Sequence, residues 1–170
     1  KNLQSKNPDG VSKSNQMGWH SKNFDIQSEE PKLFIKAISP NLKRVLVDMG
    51  WDLSKNEIKI TSMWSIINYK NASNSRHIHS NNYISAAYYV TAHEGCGDIV
   101  FYDPRPARVY KQPIAKSPNQ LNGTVNSIKP EAGMLVLFPS YLDHSVNPNI
   151  SDKKRIVISF NLSLEKKPLD

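Results

Sequence analysis

The sequence predicts a mainly β domain, a sandwich or barrel, with short helices near its N-terminus packed on one sheet. Three observations predict it. From Glu57 onward, short runs rich in β-branched and aromatic residues recur with turn clusters between them. Before that point, two stretches carry helix start and stop signals. A chain of 170 residues, 38% apolar, is long enough to close one core.

Residues 1–27 are polar and lack periodic pattern, so they read as a loosely held arm anchored by Trp19. Residues 28–170 read as a single domain with its core at 57–164. Ser28-Glu29-Glu30-Pro31 supplies a capping serine, first-turn acids and an early proline, which predicts a short helix to about Ile38. Ser39 and Pro40 restart the same signal. Leu42, Val45, Leu46 and Met49 then repeat at helical spacing until Gly50, which predicts a second, amphipathic helix.

From Glu57 the pattern is strand. Ile58, Ile60, Ser62, Trp64, Ile66 and Asn68 fall on one face of an unbroken strand running to Tyr69, and Lys70 to Ser75 form a turn. Further strands are expected at Arg76–Ser80, Ile84–Thr91, Gly97–Tyr102, Ala107–Lys111, Thr124–Lys129, Gly133–Phe138, Asp143–Asn147 and Arg155–Leu164.

The net charge is +7 and the pI about 9.4, but the lysines are scattered and partly gathered at the two ends. No stripe alternates aromatics with Arg or Lys, so a nucleic-acid partner is not favoured. The single cysteine, Cys96, excludes an internal disulfide and predicts a reducing, cytoplasmic setting. It reads as a small residue of the Gly95–Gly97 turn. Apolar runs such as Met134 to Phe138 are far too short to span a bilayer, so no membrane role is expected. No pattern specifies an oligomeric state.

The chemistry concentrates in two stretches. His77 and His79 sit two apart, so in strand geometry they point the same way and Ile78 points the other. His144, from a distant strand, would complete one face of a metal's coordination shell. Neutral imidazoles suit iron, zinc, copper or nickel. Arg155, eleven residues after His144, heads an apolar strand and can fork onto a carboxylate. An arginine beside an open metal position implies an anionic co-substrate that also reaches the metal.

The ordered string resembles the iron(II)- and 2-oxoglutarate-dependent oxygenase superfamily, in its prolyl-hydroxylase-like branch. It comprises His77-x-His79, Tyr88-Tyr89-Val90, Gly97-x-Ile99-x-Phe101, His144-x-Val146-x-Pro148 and Arg155. Ser85, Asp103-Pro104-Arg105 and Ser159-Phe160-Asn161 extend the likeness to a group of uncharacterised 2-oxoglutarate/iron oxygenases of bacteria and phages. The resemblance covers about residues 57–164 and implies a double-stranded β-helix, a jelly-roll or cupin-like fold.

It further implies Fe(II) held by His77, His79 and His144, with 2-oxoglutarate as co-substrate. Arg155 would pair with the far carboxylate of 2-oxoglutarate. Ser159, on the same strand face, and the hydroxyls of Tyr69 and Tyr89 would join it. Asn161 faces inward toward either ligand, and Asp103 and Arg105 are candidates for gating substrate. The implied reaction consumes O2, converts 2-oxoglutarate to succinate and hydroxylates an unidentified second substrate.

One departure stands out: His79 occupies the position usually filled by a carboxylate. Asp143 or Asp103 are the alternative ligands, but Asp143 neighbours His144 and should point away from it. Two other readings stay open. One is a cupin-type metal protein that does not use 2-oxoglutarate, such as a three-histidine dioxygenase or an isomerase. The other is a non-catalytic binding domain. The substrate-choosing loops carry no recognisable code, so amino acid, peptide, nucleotide and small metabolite all remain candidates.

Overall fold

The computed structural model describes residues 2–105, 113–117, 119 and 121–167, and the strand expected at 107–111 lies outside the described residues. A short helix α1 (Asn2–Lys6) is followed by two brief strands, β1 (Asn15–Gln16) and β2 (Trp19–His20), and a long helix α2 (Glu29–Asp48). The remaining strands are β3 (Asn56–Asn68), β4 (Ser73–His77), β5 (Ile84–Thr91), β6 (Ile99–Tyr102), β7 (Val125–Ile128), β8 (Leu135–Pro139), β9 (His144–Val146) and β10 (Arg155–Lys166). They form two five-stranded sheets, ordered β1-β4-β9-β6-β7 and β2-β3-β10-β5-β8, with antiparallel pairing throughout. This is the double-stranded β-helix expected from the sequence.

Strand β10 is the centre of the second sheet, paired along its length to β3 on one side and β5 on the other. Its residues alternate between two apolar layers. Phe160 and Leu162 join Ile60, Met63, Ile84 and Ala86 under α2, where Ile38, Leu42 and Leu46 cover them. Val157 joins Ala87, Tyr89, Ile99, Val136 and Phe138 between the two sheets.

The two short helices expected at 28–38 and 39–50 are one helix that runs through Pro40. Pro40 has no N–H to give Lys36, but its ring lies on the exposed face. Ser39 does not cap a new helix; its hydroxyl donates back to the Ile35 carbonyl at 2.6 Å. The apolar face of Ile38, Leu42 and Leu46 is in phase across the proline, so packing on the sheet outweighs the lost bond. The stop is where the sequence places it. Gly50, at φ +79, donates to Val47 and Trp51 donates to Leu46, so two terminal carbonyls are satisfied.

The single-face reading of β3 also needs correction. Asn161 of β10 pairs with Ser62 but Leu162 pairs with Ile60, which leaves Thr61 as an extra residue in β3. The bulge inverts the alternation. Ile58 and Ile60 pack toward α2 beside Met63, whereas Ser62, Trp64 and Ile66 line the space between the sheets.

Residues 7–24 of the expected loose arm are held by specific bonds. Trp19 is 5% exposed and its indole N–H donates to the Asn7 carbonyl at 2.8 Å, so it does anchor the segment. The chain then adds β1 to β4 and β2 to β3, and Ser21 and Phe24 donate backbone bonds to Ser65 and Met63. These bonds lay residues 11–24 as a strap along one side of both sheets.

Leu46 is fully buried at the foot of α2, whereas Val47 beside it is 58% exposed. Leu46→Ala should cost about 2–5 kcal/mol in urea unfolding and Val47→Ala less than about 0.5 kcal/mol. Equal effects would show that α2 does not dock as described.

Candidate active site

Between the sheets lies a cavity of about 640 Å³, within the range of small-molecule sites. Cross-strand register builds the corner that could hold a metal ion. His77 ends β4 and sits directly opposite His144 at the start of β9, which in turn faces Phe101 of β6. The ring centroids of His77 and His144 are 4.3 Å apart. His79 lies beyond the end of β4 rather than within a strand reaching Ser80. Its backbone N–H donates to the Ser140 carbonyl at 2.9 Å, which swings its ring to 5.1 Å from His77 and 5.0 Å from His144. One ring nitrogen from each of the three lies within 4.8 Å of the other two.

Acceptors fix which nitrogens these are. His77 Nδ1 meets the Ser75 carbonyl at 2.7 Å, and His144 Nδ1 meets the Leu142 carbonyl at 3.0 Å. His79 Nδ1 meets the Asn161 side-chain oxygen at 2.7 Å. A carbonyl oxygen cannot donate, so each Nδ1 carries the proton and each Nε2 keeps its lone pair. Burial lowers the pKa of all three rings, and His144 falls to about 4 despite the opposing pull of the Leu142 carbonyl. Three neutral imidazoles with free Nε2 lone pairs fit a divalent transition metal.

Asn161 serves His79. Its oxygen also accepts from the Ser85 hydroxyl at 2.8 Å, and its nitrogen donates to the Ser62 hydroxyl at 3.0 Å. Ser85 reaches Ser140 at 2.8 Å, so a buried polar network holds the ring from behind. The alternation of β10 turns Asn161 inward, as the sequence indicates, whereas nothing in the sequence singles out Ser140. Ser85 alternates with Ala87 and Tyr89 on β5, so its inward direction was readable.

Arg155 lies on the same inward face of β10 as Val157, Ser159 and Asn161, as expected. It is 1% exposed. Nη1 donates to the Cys96 carbonyl at 2.7 Å and the Gly97 carbonyl at 2.8 Å, while Nε has no partner. No carboxylate pairs with it among the described residues. Burial lowers its pKa, opposed by Tyr89, but a guanidinium stays charged. Tyr89, 2% exposed, also lines the cavity, and burial pushes its phenol up to about 12. Ser159, 7% exposed, completes this end.

Three expected residues are placed elsewhere. Tyr69 follows the last residue of β3, Asn68, which points in, so the tyrosine points out. Its hydroxyl accepts from the Gln4 amide and the Lys154 ammonium sits 5.0 Å over its ring. Asp103 and Arg105 form a two-pronged ion pair at 2.9 and 2.7 Å and do not line the cavity. Asp143 pairs with Arg76 at 2.6 Å, facing away from His144, so neither aspartate stands in for His79.

The match to families agrees with this geometry. Residues 62–161 match the family model described as "Putative 2OG-Fe(II) oxygenase". The chain belongs to this oxygenase family. The family's metal is Fe(II) and its co-substrate is 2-oxoglutarate.

Solved structures share the oxygenase fold at low identity. A 2OG-Fe(II) oxygenase family oxidoreductase from Burkholderia pseudomallei is 14% identical with a TM-score of 0.56. The match covers 78% of this chain, which spans 55% of that protein. A Pseudomonas putida prolyl-4-hydroxylase is 17% identical with a TM-score of 0.55, over 86% of this chain and 71% of the other. HygX from Streptomyces hygroscopicus, solved with nickel and 2-oxoglutarate, is 10% identical with a TM-score of 0.58, over 94% and 75%. No curated protein matches the sequence significantly.

The buried rings set a pH dependence for the metal-free protein. An unfolded histidine takes its proton near pH 6.5, whereas folded His144 resists until about 4. Between these values the unfolded chain binds more protons, so stability should fall as pH drops through that window. Thermal unfolding of the metal-free protein from pH 7.5 to 4 should show the loss, and His144→Gln should lessen the slope, leaving the share of His77 and His79. An unchanged slope in the variant would contradict the described burial.

Proposed function

We propose that the chain is an Fe(II)- and 2-oxoglutarate-dependent dioxygenase that hydroxylates a C–H bond of a second substrate. The observation that carries this reading is the buried Arg155 guanidinium, which has no counter-charge among the described residues and shares its cavity with three convergent imidazoles. A metal site alone would not call for it. The three-imidazole set, with no carboxylate, is what favours the rival cupin-type reading without 2-oxoglutarate. Arg155 weighs against that rival.

In the proposed arrangement His77, His79 and His144 hold Fe(II) through Nε2. Bound there with 2-oxoglutarate, the metal would supply the site for a four-electron reduction of O2: decarboxylation to succinate and CO2 would give two electrons, the C–H bond two, and succinate and the hydroxylated substrate would each keep one oxygen atom. The chain's own groups orient this chemistry. Arg155 takes the carboxylate remote from the metal, helped by the hydroxyls of Ser159 and Tyr89. Asn161 fixes the His79 ring. Phe138, Val157 and Ile99 wall the site with hydrocarbon and exclude water.

Anaerobic protein given Fe(II) and then 2-oxoglutarate should develop a visible metal-to-ligand charge-transfer band. Arg155→Lys keeps a cation but loses the fork, and should weaken 2-oxoglutarate binding about 10- to 100-fold with Fe(II) binding retained. A metal-loaded wild type with no such band would overturn the proposal in favour of the cupin-type reading.

A further inference from the structure

The strap gives the cavity a second wall. Lys13 and His20 line it from the strap, and Trp64 lines it from β3. His20 is 8% exposed and stacks on Trp64 with ring centroids 5.7 Å apart and planes 11° from parallel. Its Nδ1 donates to the Ser21 carbonyl at 2.6 Å. Trp64 in turn stands 5.5 Å from His79, so the strap wall adjoins the metal corner.

Two donors on this wall lack acceptors. The Trp64 side chain is 8% exposed, and its indole N–H is buried with no partner. An unpaired buried donor is costly, about 1–3 kcal/mol, unless something fills the place of its acceptor. Lys13 sits exposed at the rim with no carboxylate partner among the described residues. Its charge lies near enough to His20 to add to burial in holding that imidazole neutral.

Charge points the same way. No Asp or Glu among the described residues lines the cavity. The imidazole triad contributes no negative charge. If the proposed function holds, Fe(II) and Arg155 exceed the two negative charges of 2-oxoglutarate by one unit. A carboxylate at position 79 would have cancelled that unit. In a low-dielectric cavity the remainder favours an anion, and Lys13 adds to it.

We propose that the strap side of the cavity is the primary-substrate subsite, and that it selects a substrate bearing an oxyanion, a carboxylate or phosphate ester, received by Lys13 and the Trp64 indole N–H. The inference rests on the proposed function for the word substrate, but the anion subsite itself is testable without it.

Sodium sulfate, titrated calorimetrically into the anaerobic Fe(II) and 2-oxoglutarate protein against sodium chloride at equal ionic strength, tests it. Sulfate should bind saturably and leave the charge-transfer band unchanged. Lys13→Gln and Trp64→Phe should each weaken sulfate binding by about fivefold or more, with the 2-oxoglutarate affinity read from the band as control. Acetate and inorganic phosphate, run on the metal-free protein, separate the two sources: the tighter probe names the group. Absence of saturable binding, competition with 2-oxoglutarate, or wild-type affinity in both variants would overturn the subsite. If the band itself never forms, the proposed function fails, and sulfate binding to the metal-free protein with the same two variants still decides the subsite.

Discussion

A positive charge carried between two sheets, with no matching acid among the described residues, is the constraint on which the site turns. Taking a guanidinium out of water costs several kcal/mol unless its N–H groups are met. Arg155 meets part of that cost with the carbonyls of Cys96 and Gly97. Those carbonyls are available because the chain turns sharply there. Gly97 adopts φ +89, and a Cβ at that position would lie 2.1 Å from the Asn147 carbonyl oxygen. The close packing of the Gly97 and Asn147 backbones and the buried arginine therefore form one unit. Strand β10, held on both edges, keeps the guanidinium from swinging out to water. What the carbonyls leave unmet is an anion.

The bulge at Thr61 lets β3 serve two masters. On one side of it the strand spends its branched residues, Ile58 and Ile60, on the helix α2. On the other side it turns Ser62, Trp64 and Ile66 toward the cavity. A regular strand would present both sets to the same face, and one would be misplaced. Ser62 then meets Asn161, which carries the correction across to β10 and on to His79. The irregularity thus positions a proposed ligand three residues removed in the network from where it occurs.

Much of the site was legible because it depends on period two. The inward row of Arg155, Ser159 and Asn161 follows from one regular strand, and so do the bounds of β5 at Ile84–Thr91. The features that escaped depend on contacts distant in sequence. Pro40 reads locally as a start, but the sheet holds both halves of α2 in one line. The Thr61 bulge appears only when β10 is laid beside β3. Lys13, His20 and Trp64 line one cavity because the strap pairs with β3 and β4, and nothing in the polar arm signals those partners. Tyr69 is a different kind of miss. Its expected role came from the family pattern, whereas the parity set by buried Asn68 sends it outward.

His79, a proposed ligand where the family resemblance implies a carboxylate, is fitted to its place by its surroundings. An imidazole reaches farther from its Cα than an aspartate does, so it needs its backbone set back from the metal corner. The chain leaves the β4–β9 ladder after His77, and the Ser140 carbonyl takes the His79 N–H instead. A carboxylate presents only acceptors, but the ring presents an N–H behind its Nε2, and Asn161 turns its amide oxygen to receive it. The amide nitrogen is then committed to Ser62, and Ser85 closes the network against Ser140. Position 79 is thus supported as an imidazole at both backbone and side chain. No acid among the described residues lines the cavity to offset its cations, so electroneutrality falls to whatever the cavity binds.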